Sequence, residues 1–538
     1  MLLCYCWVYS NPLHGQIEKQ AFETTLRAKI DTLQSIGFQH IAAEKIFFPE
    51  EIKDIYIRRS YAPIWIGDSK GAERINNYVN CINKSVENGL LPRDYHLFSI
   101  GEIIKNAQTK HMTIQEIIDL EILLTDAFLL QASHYANGKI PPENRDESWY
   151  RVPKNTSMGS YFERAVIEDD FCGTLESLLP NYPQYNQLKQ ILKTHQKVRW
   201  EELPEVSWNL LLQEGNTDPL IMAIKKRLQV TGDLEAGPVD AYFDRSLTKA
   251  LLNYQRRHGL PNNGLIRTAT VHSLNISTEK RIEQIKANLE RWRWLPRTLT
   301  EDYLEVNIPA FELSMIEDNQ VVYKEKVIVG REKYPTASFS DSMTYIVLNP
   351  YWTIPRSIAN AELKLEVMSD QYHLINNDIK VFKGNKIINS LNVDWKKVNW
   401  DSYVFRQGPN AYNPMGQVKF MFPNAHHIYI HDTPARHYFT NSRRSYSHGC
   451  IRVNEPLKFA EHILKRQEEA WDSLKIQKVL FSQKETSVDL SKQIPLHIFY
   501  WTSFIDEENN VNFREDIYSW DAKIYDELKE PIVNMQFN

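Results

Sequence analysis

Cysteine is sparse: five in 538 residues, at positions 4, 6, 81, 172 and 450. Their number is odd and, apart from the weak pair Cys4 and Cys6, their spacing fits no metal-ligand pattern. No disulfide framework is evident, and Cys81 and Cys172 are expected to be small buried hydrophobes, the usual role of a lone cysteine. An excess of one charge is also missing. The 63 Lys and Arg against 68 Asp and Glu leave a net charge of −5 and a pI near 6.4, so there is no basic footprint and nucleic acid is not an expected partner. Long apolar runs are lacking too. Residues 1 to 9 are apolar but too short to cross a bilayer and carry no basic flank, and nothing else approaches the eighteen residues a membrane helix needs. Residues 1–15 are read as a signal remnant or a disordered end.

What remains is the composition of a soluble globular protein: 42% hydrophobic and 24% charged residues in a chain long enough for three or four domains. The 12% aromatics allow a carbohydrate-stacking surface, although core packing is the commoner use. Ile17, Phe22, Leu26, Ile30 and Leu33 recur near a 3.6 period and predict a helix over 16–36. A second helix over 73–88 stops at Gly89, and a third carries Ile117, Leu120, Leu124, Phe128 and Tyr135 before Gly138. Residues 139–215 give a weaker signal of loops and short helices. From 218 to 275, one helical face is Leu220, Ile221, Ile224 and Leu228 and another is Leu247, Ala250, Leu251 and Tyr254, with Asp244 as N-cap and Gly259 as stop. A linker helix over 279–293 follows. From Tyr303 onward β-type segments dominate, interrupted over 357–402 by charged helical sequence that reads as an insertion. Pro456 to Lys465 form an amphipathic helix, and a last hairpin is expected from Leu496 to Phe504 and Val511 to Phe513.

The stretch with chemistry is Ser447-His448-Gly449-Cys450-Ile451-Arg452, read with His431, nineteen positions upstream. A thiol attacks carbonyls as thiolate, and a free cysteine of pKa about 8.5 needs a base or a positive field at neutral pH. Nineteen residues is too far for a helical neighbour and suits two strands joined by a loop. His431 can then take the thiol proton, its second nitrogen held by an acceptor such as the Asp432 carbonyl. His448 is the rival base, set in a tight turn. Gly449 lets the chain bend sharply, so the amides of Gly449 and Cys450 are both candidates to face an oxyanion. Arg452 falls on the Cys450 side of a strand and suits a substrate carboxylate. His426 and His427 read as surface histidines.

These residues resemble the L,D-transpeptidase family with its YkuD-type catalytic domain, whose pattern is a histidine, just under twenty residues, then Ser/Thr-His-Gly-Cys, an apolar residue and Arg or Asn. The likeness extends to Ile428-Tyr429-Ile430-His431, Val327-Ile328-Val329-Gly330, Asn349 to Pro355, and Gly408-Pro409-Asn410 through Asn413-Pro414-Met415-Gly416. Arg58 to Trp65 resembles the family's scaffold segment, Phe243-Asp244 and Tyr254 to Leu260 a small peptidoglycan-binding domain, and Arg514 to Tyr518 its carboxy-terminal ending. In the second of these, Arg267-Thr268 replaces the usual Gly-Pro.

The resemblance implies a multidomain α+β chain: a helical scaffold over 16–215, a three-helix peptidoglycan-binding-like domain over 216–276, a linker helix over 277–300, a β-rich catalytic domain over 301–485 with a cap near 357–402, and a hairpin and tail over 486–538. It implies Cys450, His431, Gly449 and His448 as catalytic residues, and Arg452, Tyr429, Ser447 and Trp352 as substrate contacts. The implied reaction forms a Cys450 thioester with a tetrapeptide donor stem and passes it to an acceptor stem as a 3→3 cross-link. Neither metal nor organic cofactor is needed. The implied setting is the periplasm of a Gram-negative bacterium, for a monomer with cell-wall synthases as potential partners. Lipoprotein attachment and hydrolysis share the same acyl-enzyme, and a non-catalytic wall-binding scaffold is the alternative outside enzymology.

Overall fold

The computed structural model describes residues 19–34, 40–141, 149–150, 157–469 and 471–532. The expected signal remnant lies outside them. Of the first expected helix, Lys19–Gln34 is described, with Phe22, Leu26, Ile30 and Leu33 buried.

The helical N-terminal region is built around Ile114–Asn137, which starts at a reciprocal Thr113–Glu116 capping box and is followed by Gly138 at φ 88°. The expected stripe along it is only part of its buried surface, since Glu121, Asp126 and His134 on its other sides are buried as well. Their partners explain why: Asp126 accepts the backbone amides of Phe47 and Phe48, and Glu121 accepts that of Trp65 at 3.1 Å. These carboxylates satisfy amides that packing has removed from water. Around the helix Trp65, Tyr78, Phe128, Phe162 and Phe171 form an aromatic cluster. Residues 139–215, expected as loops and short helices, include Met158–Glu168, Phe171–Glu176 and Pro183–His195. Cys81 and Cys172 form a disulfide, a correction to their reading as separate hydrophobes: the helix Gly71–Lys84 packs against Phe171–Glu176 and brings together sulfurs 91 positions apart.

The small module has its own core of Leu220, Ile224, Leu228, Leu247, Leu251, Tyr254, Ile266 and Val271. Asp218 and Asp244 cap its first two helices, Pro219–Val230 and Arg245–Arg257, and Gly259 leaves the second at φ 65°. It docks on the hairpin Ser503–Ile505/Val511–Phe513 through Arg256 on Asp506 and through Arg257, which donates to the Val511 carbonyl. The helix Thr278–Arg293, expected as a linker, is buried along its second half. Arg293 pairs with Glu290, Arg291 with Asp521, and Trp292 stacks on Trp501 at 4.6 Å, so it joins the scaffold to the tail as a packed joint.

The β-rich domain closes on itself. Its strands run in the order Val418–Met421, Ile430–His431, Ile451–Val453, Gln320–Gly330, Glu312–Glu317, Tyr303–Asn307, Thr486–Phe499, Ser338–Leu348, and the last pairs back to the first. Closure satisfies both edges of what the alternating sequence alone presents as an open or sandwiched sheet. Thr486–Phe499 is thus an integral barrel strand lying past residue 485, and the hairpin begins only at Ser503. The insertion contributes Ile379–Lys383 and Lys386–Ile388 to a four-stranded sheet completed by the flanking Trp352–Thr353 and Val404–Gln407, and its Leu363, Leu374, Trp395 and Trp400 pack with Phe405 in a separate core. No helix among the described residues is long and apolar enough to cross a membrane.

Candidate active site

Cys450 ends a turn that leads into the strand Ile451–Val453, and this strand runs parallel to Ile430–His431 with Ile430 opposite Ile451 and His431 opposite Arg452. The Ile451 amide donates to the Tyr429 carbonyl at 3.0 Å, which puts Tyr429 across from Cys450. Side chains two apart along a strand share a face, so Tyr429 and His431 on one strand meet Cys450 and Arg452 on the other. The Tyr429 and His431 rings lie 5.6 Å apart. On the far side of His431, Lys419 is its cross-strand partner, and its ammonium sits 3.7 Å from the centre of the Tyr429 ring.

The half-buried thiol directs its proton at the His427 carbonyl, 3.8 Å away. No hydrogen bond joins it to His431 among the described residues. Burial pushes the thiol above its ordinary range, opposed by the Tyr429 amide and hydroxyl and by the charges of Lys419 and Arg452. His431 is 2% exposed, and burial, with the Arg452 charge next, pulls its imidazole down to about 3. Its Nδ1 donates to the Asp432 carbonyl at 2.5 Å, the acceptor expected from the sequence. The resting site therefore holds a neutral imidazole beside a protonated thiol. Asp432 is itself fixed by the Gln417 amide at 2.8 Å and by Arg436, and Gly416, at φ 57°, is needed because a Cβ there would collide with the Asp432 carboxyl.

The turn is braced from within. Ser447, expected at the substrate, is buried: its hydroxyl donates to the Cys450 carbonyl and accepts the Gly449 amide at 3.1 Å. The Gly449 amide is thereby engaged, which removes one of the two expected oxyanion donors. The Cys450 amide makes no hydrogen bond within the described residues. Gly449 stands at φ 110°, a conformation that favours glycine. His448 points away from sulfur: its Nε2 lies 2.7 Å from Glu362 of the cap and 2.6 Å from Arg331, and its ring lies on Tyr334. Trp352 packs against the cap's own core. Arg452 has a buried Nε with no partner among the described residues and forms no ion pair there. Among the described residues the arrangement thus offers a thiol, a neutral imidazole, the unengaged Cys450 amide and two cations, Lys419 and Arg452, that form no ion pair. It contains the elements an acyl transfer through sulfur requires.

Sequence reasoning did not find Lys419, Arg331 or Glu362. Lys419 had a signal, a lone cation in the otherwise apolar Val418–Met421, but Glu362 is one of many charges in the insertion and had none.

Residues 301–476 match the L,D-transpeptidase catalytic domain, residues 50–192 a scaffold domain, and residues 217–274 a domain described as "Putative peptidoglycan binding domain". The chain carries a YkuD-type catalytic domain preceded by these two modules, as the motifs suggested. A Haemophilus influenzae protein named "Putative L,D-transpeptidase" is 30% identical over 252 residues, which is 46% of this chain and 50% of that protein, so the chain spans about half the length of this curated relative. Among solved structures, an L,D-transpeptidase of Xylanimonas cellulosilytica shares 13% identity over 55% of this chain and 100% of its own, with a TM-score of 0.18. One of Stackebrandtia nassauensis shares 12% over 55% and 97%, with a TM-score of 0.22.

Proposed function

We propose that the protein is a cysteine L,D-transpeptidase that forms 3→3 cross-links in peptidoglycan. The observation that carries the reading is the gathering of Cys450, His431, Tyr429 and Arg452 on one strand pair inside a domain matching this catalytic family. In the reaction His431 takes the Cys450 proton as Sγ attacks the carbonyl of the third stem residue, a diamino acid. The C–N bond to the terminal D-alanine breaks, and the leaving amine takes the proton from His431. The side-chain amine of a second stem then attacks the thioester, the C–S bond breaks, and the proton lost by that amine returns through His431 to sulfur. No redox change occurs. His431 is neutral and so holds a lone pair for the first proton, and since burial keeps its imidazole a weak base in the resting site, the transfer is coupled to the attack of sulfur on the carbonyl. The thiol proton, directed at the His427 carbonyl at rest, turns toward His431 for that transfer. Arg452, with its unpartnered Nε, suits a stem carboxylate, and Tyr429 a hydrogen bond to sulfur.

Placement in the periplasm is supported by the wall-directed modules and by the Cys81–Cys172 disulfide, since such bonds persist in oxidising compartments. The module over 217–274 would hold the enzyme on its polymer. The cap, reaching the site rim through Glu362, would favour amine over water at the thioester. The test is intact mass after incubation with a carbapenem, together with muropeptide analysis of purified tetrapeptide dimers. A single adduct on the wild type, none on Cys450→Ala, and a cross-linked product are expected. The same adduct on Cys450→Ala would defeat the assignment.

A further inference from the structure

Gly449 contributes more than a bend. Its carbonyl and the Cys450 N–H belong to one planar trans peptide unit, so they point in opposite directions. Whatever holds that carbonyl therefore fixes the direction of the Cys450 amide, which has no acceptor among the described residues. The carbonyl is held by Thr336 Oγ1 at 2.7 Å, and Thr336 is fully buried.

The directions of these bonds follow from chemistry alone. A carbonyl cannot donate, so the single Thr336 hydroxyl proton goes to Gly449, and the same oxygen accepts the Gly330 amide at 2.9 Å. Tyr518, from the carboxy-terminal segment, completes the circuit: its hydroxyl donates to the Gly330 carbonyl at 2.6 Å and accepts the Thr336 amide at 3.2 Å. Burial pushes this phenol up to about 12, so it stays a donor at any working pH. Gly330 admits no side chain, because a Cβ there would strike the Tyr334 carbonyl, and the bend from 330 to 336 is closed tightly enough for both residues to meet one hydroxyl.

We propose that Thr336, clamped by Tyr518, is the positioning residue that aims the Cys450 amide at the oxyanion of the acyl-transfer step. This rests on Cys450 being the acylated residue. Neither Thr336 nor Tyr518 touches substrate; both act through the Gly449–Cys450 peptide.

Acylation passes through a tetrahedral oxyanion, whereas alkylation of the same sulfur does not, and this separates positioning from plain structural support. In the full chain, carbapenem acylation and iodoacetamide alkylation of Cys450 are followed by intact mass. Thr336→Val is expected to lower the maximal acylation rate by about ten- to a hundredfold, part of what loss of an oxyanion donor costs, with the half-saturating carbapenem concentration and the alkylation rate within twofold of wild type. Thr336→Ser keeps the hydroxyl and is expected to restore acylation. Tyr518→Phe, which leaves Thr336 in place, is expected to lower acylation roughly two- to tenfold and carries the same comparison if Thr336→Val fails to fold. Acylation unchanged in these variants, or acylation and alkylation falling together, would overturn the proposal. A wild-type protein that alkylates at Cys450 but never acylates would instead overturn the transpeptidase reading, and this proposal with it.

Discussion

Tyr429, rather than His431, is the direct cross-strand neighbour of Cys450, while His431 faces Arg452 one step along. The thiol at rest donates to the His427 backbone carbonyl, and the imidazole on the same strand pair is uncharged.

This relationship fixes the pH dependence of the thiol. The thiolate is the reactive form, and burial holds the thiol above its ordinary range. Iodoacetamide alkylation of Cys450 is expected to keep rising past pH 9, with no plateau at neutral pH. His431, already neutral above about 3, should add no inflection between pH 5 and 7. Tyr429→Phe removes a hydroxyl whose influence lowers the thiol's pKa and should move the curve further up. A rate already flat below pH 7 would show a resting thiolate–imidazolium pair and contradict this account.

Lys419 brings a positive charge to the same sulfur, and Cys450 is the leading influence against the burial that lowers the lysine's own pKa. Lys419→Met keeps the length of the side chain and removes the charge. Alkylation at pH 7.5 should slow about three- to tenfold, the effect of one nearby charge at intermediate dielectric. The melting temperature should hold or rise, because a half-buried cation with no ion-pair partner among the described residues is removed. Unchanged alkylation would place Lys419 outside the field of the thiol.

Gly416 is required on two counts, a left-handed backbone and the adjacent Asp432 carboxyl. Gly416→Ala is expected to cost roughly 2–3 kcal/mol of unfolding free energy, the range for backbone strain combined with a steric clash. Because Asp432 carries the carbonyl that orients His431, carbapenem acylation should fall as well. Urea unfolding and acylation kinetics measure the two effects, and a variant with wild-type values for both would refute the close approach.

The Cys81–Cys172 disulfide closes a loop of 91 positions. Replacing both residues with Ser should lower stability by about 2–4 kcal/mol through the greater freedom of the unfolded chain. Cys450 lies in the separate barrel domain, so its alkylation rate in the folded protein should not change. Peptide mapping without reductant should recover residues 81 and 172 in one linked species, and free thiols at both would refute the bond.

The sequence by itself determined the candidate site residues and the local elements. The identities of Cys450, His431 and Arg452, the Asp244 cap and the helical periods are all written within a few residues of where they act, because caps and amphipathic faces depend on short-range geometry. Only the tertiary structure decided which of these groups touch. Strand register set Tyr429 rather than His431 opposite Cys450 and brought in Lys419. Barrel closure drew Thr486–Phe499 into the catalytic sheet, and helix packing joined Cys81 to Cys172. Each of these outcomes depends on partners tens of residues apart. A shift of one residue in a strand would turn every side chain to the opposite face while leaving the local pattern of the sequence unchanged.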